Sequence, residues 1–348
     1  MGSKRVFKSN SSEIGGINVK KAYTTFSVFM LAALIIWFLN NSEEGMYAFI
    51  PNADDGSISI INTDTDELIK NIKVQSKLSD GIASSRDGKW IYAGNYSKGE
   101  LLIINVKTGK IKKKVQTGKN LHGIDMTPDG KYLYLASGDL KEGEEYNYIS
   151  IFDTGKNKII NSIRTNSKSP SHIDFSHDGS LAYAANIMSN EISLIDTKKM
   201  EIIATIPVGT IPNEVEASKD DKFLYVANVA DGTISIIDIL KQEEIKTIKA
   251  GEGTHGLALS PNGKFLYAAN RNTNDLVKLD LKDNRILEKV VTGKTANHVS
   301  FVPNSKKLYV TNKDSNDLAI VNADTLEVIK KVPLGKTPHE ISFSVAVK

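Results

Sequence analysis

Residues 223–238 read FLYVANVADGTISIID, and this stretch sets the pattern for most of the chain. Two apolar runs of strand length, Phe223 to Ala227 and Thr233 to Ile237, flank a short turn segment from Asn228 to Gly232. Runs rich in aromatic and β-branched residues, bounded by Asn, Asp and Gly, read as strands. A third run, Glu244 to Ile248, follows Asp238, and Gly256 to Ser260 is expected to complete a unit of four strands. The aromatic-led motif recurs at Tyr47-Ala48, Tyr92-Ala93-Gly94-Asn95, Tyr134-Leu135-Ala136-Ser137, Tyr183-Ala184-Ala185-Asn186, Tyr225-Val226-Ala227-Asn228, Tyr267-Ala268-Ala269-Asn270 and Tyr309-Val310-Thr311-Asn312, at spacings of 45, 42, 49, 42, 42 and 42 residues.

A period near 42 residues built from short strands is the signature of four-stranded propeller blades. The turns agree. Asp87-Gly88, Asp129-Gly130, Asp178-Gly179 and Asn262-Gly263 suit tight hairpins, because Asn, Asp and Gly tolerate positive φ. Asn62, Asn105, Asp153, Asp196, Asp238, Asp280 and Asn322 end the third strand in all seven units, where a short side chain can bond the following backbone. The expected fold is all-β: a seven-bladed β-propeller of four-stranded antiparallel blades spanning residues 46–348. The first unit begins at Met46 with what is the second strand elsewhere, and the final His339-Glu340-Ile341-Ser342-Phe343 matches the innermost strand of the others. The last segment is therefore expected to complete the first blade, leaving no open sheet edge.

These repeats resemble the YVTN β-propeller repeat family, whose name is the motif at Tyr309 to Asn312, over about residues 46 to 348. The resemblance implies a seven-bladed propeller like those of surface-layer proteins and lactonases. For function it implies little, because one fold carries many unrelated activities.

Composition narrows the classes. The 348 residues are 40% hydrophobic and 24% charged, an ordinary globular balance. The formal charge of +3 sits at the N-terminus: residues 1–41 carry Lys4, Arg5, Lys8, Lys20 and Lys21 against Glu13, a net of +4, which leaves residues 42–348 at −1. A near-neutral domain lacks the electrostatic footprint of a nucleic-acid binder. The absence of cysteine excludes disulfides, thiolate metal centres, covalent c-type haem and a lipoprotein anchor.

Ala22 to Leu39 is eighteen residues without a charge, which as a helix spans about 27 Å, close to the hydrocarbon thickness. Tyr23 and Trp37 lie near its ends and the basic residues precede it, so the expected order is a cytoplasmic tail (1–21), a single transmembrane signal anchor (22–39), a linker (40–45) and an extracytoplasmic propeller, periplasmic or extracellular. The competing reading is a cleaved signal peptide, since the strictly apolar part, Val28 to Leu39, is only twelve residues. Against it stand a long n-region and no small-x-small cleavage site before Glu43 and Glu44.

Five of six histidines fall at one place in the repeat, the start of the innermost strand. Aligned, the units place Asp80, His122, Ser171, Asn213, His255, Asn297 and His339 at one position, and Gly81, Gly123, His172, Glu214, Gly256, His298 and Glu340 at the next. In a propeller these positions ring the channel mouth. Neutral imidazole is the commonest metal ligand, so a metal or anionic ligand held by His122, His172, His255, His298, His339, Glu214, Glu340 and Asp80 is one reading, with His122, His255 and His339 as metal candidates. The plainer reading is that Pro-His and Pro-Asn pairs satisfy the neighbouring blade's backbone, and a ring of seven spreads these residues apart. The second candidate is the insertion Gly138 to Asn147 in the third unit. Its Glu142, Glu144, Glu145 and Tyr146, with Tyr148, suit a protein partner, Tyr being enriched at interfaces, or a solvated hairpin tip.

No Gly-x-Ser-x-Gly elbow, His-Glu-x-x-His helix or phosphate-binding Gly-rich loop is present. The leading expectation is a non-catalytic protein-binding or scaffold module. The alternative is a metal-dependent enzyme or carrier, lactonase-like or built on the histidine ring, for which a metal ion is the one cofactor considered.

Overall fold

The computed structural model describes residues 45–74, 76–118, 120–138 and 147–345. The expected tail, membrane segment and residues 40–44 of the linker lie outside these residues, as do Glu142, Glu144, Glu145 and Tyr146. Among the described residues no helix is long and apolar enough to cross a membrane.

The described residues form 28 strands in seven four-stranded antiparallel sheets. The fifth blade shows why. Its second and third strands, Phe223–Asn228 and Thr233–Asp238, are buried almost throughout because neighbouring blades cover both faces, so their sequences are nearly continuous apolar runs. Its outermost strand, Glu243–Lys249, is largely exposed and correspondingly charged. Its innermost strand is Pro212–Ala217. Gly256 to Ser260, assigned to this unit from the sequence, instead belongs to the innermost strand of the next blade, where the tight Asn262-Gly263 turn folds it back on Phe265–Asn270.

The tyrosines of the repeat join neighbouring blades. Tyr134, Tyr183, Tyr267 and Tyr309 are fully buried, and removing such a ring from water is worth roughly 2–3 kcal/mol. Tyr134 meets Phe175, and Tyr267 meets Phe301, edge to face at centroid distances of 5.1 and 5.3 Å, each Phe lying on the next blade's innermost strand. At the seam Tyr309 packs on Phe343 at 5.9 Å and donates a 2.5 Å hydrogen bond to Asp66 Oδ1. Lys307 Nζ lies 2.7 Å from the same carboxylate.

Ring closure is as expected. Ser342–Val345 is the innermost strand of the first blade, pairing Met46, Tyr47, Ala48 and Phe49 with Val345, Ser344, Phe343 and Ser342. An isolated bridge joins Asn52 to Pro338.

Candidate functional site

Six of the seven innermost strands carry an irregularity at the aligned position. In the fourth blade Pro170 pairs with Asn186 and Ile173 with Ala184, so Ser171 and His172 together face one residue. The same bulge places His122 and Gly123, Asn213 and Glu214, and Asn297 and His298 out of the ladder, and His255 sits in a one-residue version. A bulge bends the strand and re-aims its side chains. The innermost strands also crowd one another here. A Cβ on Gly123 would lie 2.1 Å from Ser171 O, and one on Gly256 would lie 2.6 Å from Asn297 O, which is why several blades have glycine at this position.

Where the innermost strands converge, five imidazoles from five blades meet in one cluster. Ring centroids are 5.3 Å apart for His122 and His172, 4.9 Å for His172 and His298, 4.7 Å for His255 and His298, and 6.3 Å for His298 and His339. The carboxylates lie among them. Asp80 is 3.3 Å from His122 Nε2 and 3.1 Å from His339 Nδ1; Glu214 Oε2 is 3.2 Å from His298 Nδ1; Glu340 Oε1 is 3.8 Å from His172 Nδ1. Among the described residues, two groups bring ligand atoms within 4.8 Å of one another: Asp80, His122 and His172, and His172, Glu214 and His298. The metal triad expected from the sequence, His122, His255 and His339, is thus not the set that meets. His255 and His339 are held by amides instead: His255 Nδ1 lies 3.2 Å from Asn297 O, and His339 Nδ1 is 3.2 Å from Asn297 Nδ2.

Four of these buried side chains have atoms without a hydrogen-bond partner: His122 Nδ1, both ring nitrogens of His172, His298 Nε2 and Glu214 Oε2. For Glu214 Oε2 the 3.2 Å approach of His298 Nδ1 is a close contact that does not make a hydrogen bond.

Burial opposes charge throughout the mouth, and neighbours decide the outcome. Burial works against a protonated His172, but Glu214, Glu340 and Asp125 outweigh it and push its pKa up to about 10. His298 and His339 are pushed down to about 3, first by burial and then by neighbouring cations, with Asp80 opposing. His255 is held well below the usual range by burial and by Arg271. Burial disfavours an ionised Asp80, yet His339, His122 and Arg271 keep its carboxyl well below the usual range. Arg271, the weakest of these influences, is itself lowered to about 10 by burial. Arg271 Nε also donates to Asn297 Oδ1 at 2.7 Å.

Three residues past the mouth, the third, fourth and fifth blades carry Asp125, Asp174 and Glu216, while the others have Ala83, Ala258, Ser300 and Ser342. The sequence reading passed over these acids, although the alignment that found the histidines contains them. Each accepts a backbone N–H from the next blade: Ile173 to Asp125 at 3.2 Å, Ala217 to Asp174 at 2.7 Å and Leu259 to Glu216 at 3.2 Å. Glu340 takes the N–H of Ile82 in the same way, at 3.1 Å. Innermost strands have no ladder partner toward the axis, so these carboxylates satisfy donors that would otherwise be orphaned. Burial raises Asp174 to about 6 and takes Asp125 and Glu216 well above the usual range.

The remaining features lie elsewhere. Tyr148 is half-buried at the start of its strand beside the insertion. His177, the sixth histidine, pairs with Asp221 at 3.0 Å on the face opposite the mouth. That face also holds clefts of about 630 and 670 Å³ at the hairpin turns, lined by Arg86, Asp129 and His177 in one case and by Lys219, Asn262 and Lys282 in the other.

Fold and mouth together define a seven-bladed propeller with a histidine- and carboxylate-lined channel entrance. The chain belongs to the YNCE-like beta-propeller family, whose profile matches residues 43–345. A comparison with curated proteins finds no match. Among solved structures the chain is similar to hydrazine synthase of Kuenenia stuttgartiensis, at 20% identity and a TM-score of 0.70 over 80% of this chain and 92% of that one. It is also similar to a functionally unknown protein from Desulfotomaculum acetoxidans, at 16% identity and a TM-score of 0.71 over 86% and 98% of the two chains. A third is the dihydro-heme d1 dehydrogenase NirN in complex with DHE, at 15% identity and a TM-score of 0.63 over 85% and 74%. At these identities the likeness is one of fold.

Proposed function

We propose that this chain is a metal-binding propeller, tethered outside the cytoplasmic membrane by residues 22–39, that holds a divalent transition-metal ion at its channel mouth on His172, His298 and Glu214. One observation carries the metal reading: these three residues bring ligand atoms within 4.8 Å of one another, and both nitrogens of His172, Nε2 of His298 and Oε2 of Glu214 are buried without hydrogen-bond partners. An unsatisfied buried polar group costs about 1–3 kcal/mol, and His172 Nε2 and His298 Nε2 have neither a hydrogen bond nor an acid beside them. Two imidazoles and a carboxylate suit borderline ions such as zinc, copper or nickel. The tether is supported by the uncharged segment and the basic residues before it. The scaffold reading rests on the third-blade insertion, most of which lies outside the described residues.

The full chain, extracted from membranes with detergent, loaded with Zn²⁺ and dialysed, should retain at least one zinc per chain, and His298→Ala should retain one zinc fewer than wild type while keeping its far-UV circular dichroism. A chain found only in the soluble fraction overturns the tether, and wild type that retains no zinc overturns the metal site.

A further inference from the structure

The two ligand groups at the mouth share one residue. His172 belongs to both, whereas Asp80 and His122 appear only in one, and Glu214 and His298 only in the other; among the described residues no single group contains both His122 and His298. The five residues thus fall into two ligand groups rather than one. His172 is also the one histidine among the described residues with both ring nitrogens buried and unpartnered.

Its two neighbours are arranged alike. His122 turns Nε2 toward Asp80 at 3.3 Å and leaves Nδ1 without a partner; His298 turns Nδ1 toward Glu214 at 3.2 Å and leaves Nε2 without one. His172 lies next to both, its ring centroid 5.3 and 4.9 Å from theirs.

We infer that the mouth holds two divalent transition-metal ions bridged by the imidazole ring of His172, one ion shared with His298 and Glu214 and the other with His122 and Asp80. This rests on the metal-binding reading above and extends it from one ion to a pair. Bridging requires both nitrogens to coordinate, so the ring binds as an imidazolate, and every N–H proton it carries, two from the protonated ring, passes to the buffer. The carboxyl groups of Asp80, Glu214 and Glu340 lie among the rings, where they can offset the charge of two cations. The His298 ion is the more buried: His172 and His298 are 1% and 3% exposed, whereas the side chains of His122 and Asp80 are 19% and 22% exposed.

The test uses Cu²⁺, because two Cu²⁺ ions joined through an imidazolate couple their spins and lose paramagnetic resonance intensity. Full-length protein in detergent is titrated with Cu²⁺, and bound copper and integrated spin are measured together. The expected result is two coppers per chain, with spin rising over the first equivalent and falling over the second. His122→Ala is expected to bind one copper with one full spin. His172→Gln should abolish the spin loss at any loading. Two coppers with two full spins, or one copper per chain in the wild type, overturns the bridge while leaving the metal site standing. No bound copper overturns both.

Discussion

The second strands of the seven blades and the bulges of the innermost strands have been treated very differently by the sequence. The second strands are near copies: each carries its aromatic, and six of seven end in an Asn that is fully buried, at Asn52, Asn95, Asn186, Asn228, Asn270 and Asn312. These amides repeat one job. Asn52, Asn186 and Asn228 donate to Ser59, Ser193 and Ser235 at 2.8 to 2.9 Å, and Asn95, Asn270 and Asn312 donate to an acid five residues on at 2.7 to 3.0 Å. At the bulges the pair of residues varies from blade to blade, and only the His-Gly pair occurs twice, at His122-Gly123 and His255-Gly256. The symmetric part builds the disc, where identical blades need identical contacts. The asymmetric part lies where the blades converge, and there differences between them bring unlike groups together in one cluster.

The largest expected effect comes from removing the element that makes the symmetric part closed. Deleting residues 337–348 takes away the innermost strand of the first blade and exposes the edge of Met46–Asn52. The truncated chain should lose cooperative thermal unfolding and aggregate, read by circular dichroism and light scattering. If it melts like the full chain, closure is not what holds the disc together.

A single copy of the repeated network comes next. Asn228→Ala removes bonds to Ser235 Oγ at 2.8 Å and Thr233 Oγ1 at 3.1 Å in a fully buried site, and should cost about 1–3 kcal/mol in urea denaturation. A change below about 0.5 kcal/mol would mean that the repeated Asn is not a stabilising element.

The smallest effect belongs to the asymmetric part and appears only with pH. Burial and the charge of Glu340 hold the Asp125 pKa well above its ordinary value, near 3.9 in an unfolded chain. Between those two values the folded state keeps a proton that the unfolded state has released, so stability falls as pH rises from about 4. Asn at this position can still accept the Ile173 N–H but has no charge to bury. In chelator-treated protein, Asp125→Asn should match wild type near pH 4 and melt a few degrees higher at pH 8. Parallel melting profiles across that range would show that Asp125 carries no buried-charge penalty.

How far these features could be read in advance follows the same division. The hairpin glycines, the third-strand Asn and Asp caps, the buried Tyr motif and the return of the last strand to the first blade depend on neighbours within one or two units. Turn chemistry and strand alternation act at that range, so blade number, closure and the mouth positions were legible in the amino-acid order. The boundary of the fifth unit was misread because each innermost strand follows the outermost strand of the preceding blade without a break in pattern, and only pairing shows where Gly256 belongs. Which side chains meet at the mouth could not be read at all. His172 and Glu340 are 168 positions apart, and Ile82 and Glu340 are 258 apart. Their meeting depends on how tightly seven sheets close and how each bulge turns its residues. Sequence by itself determined the repeat and the histidine column, because both are written locally; tertiary structure alone decided that His172, and not His255 or His339, stands between two acid-backed histidines, because that is settled by packing across the axis.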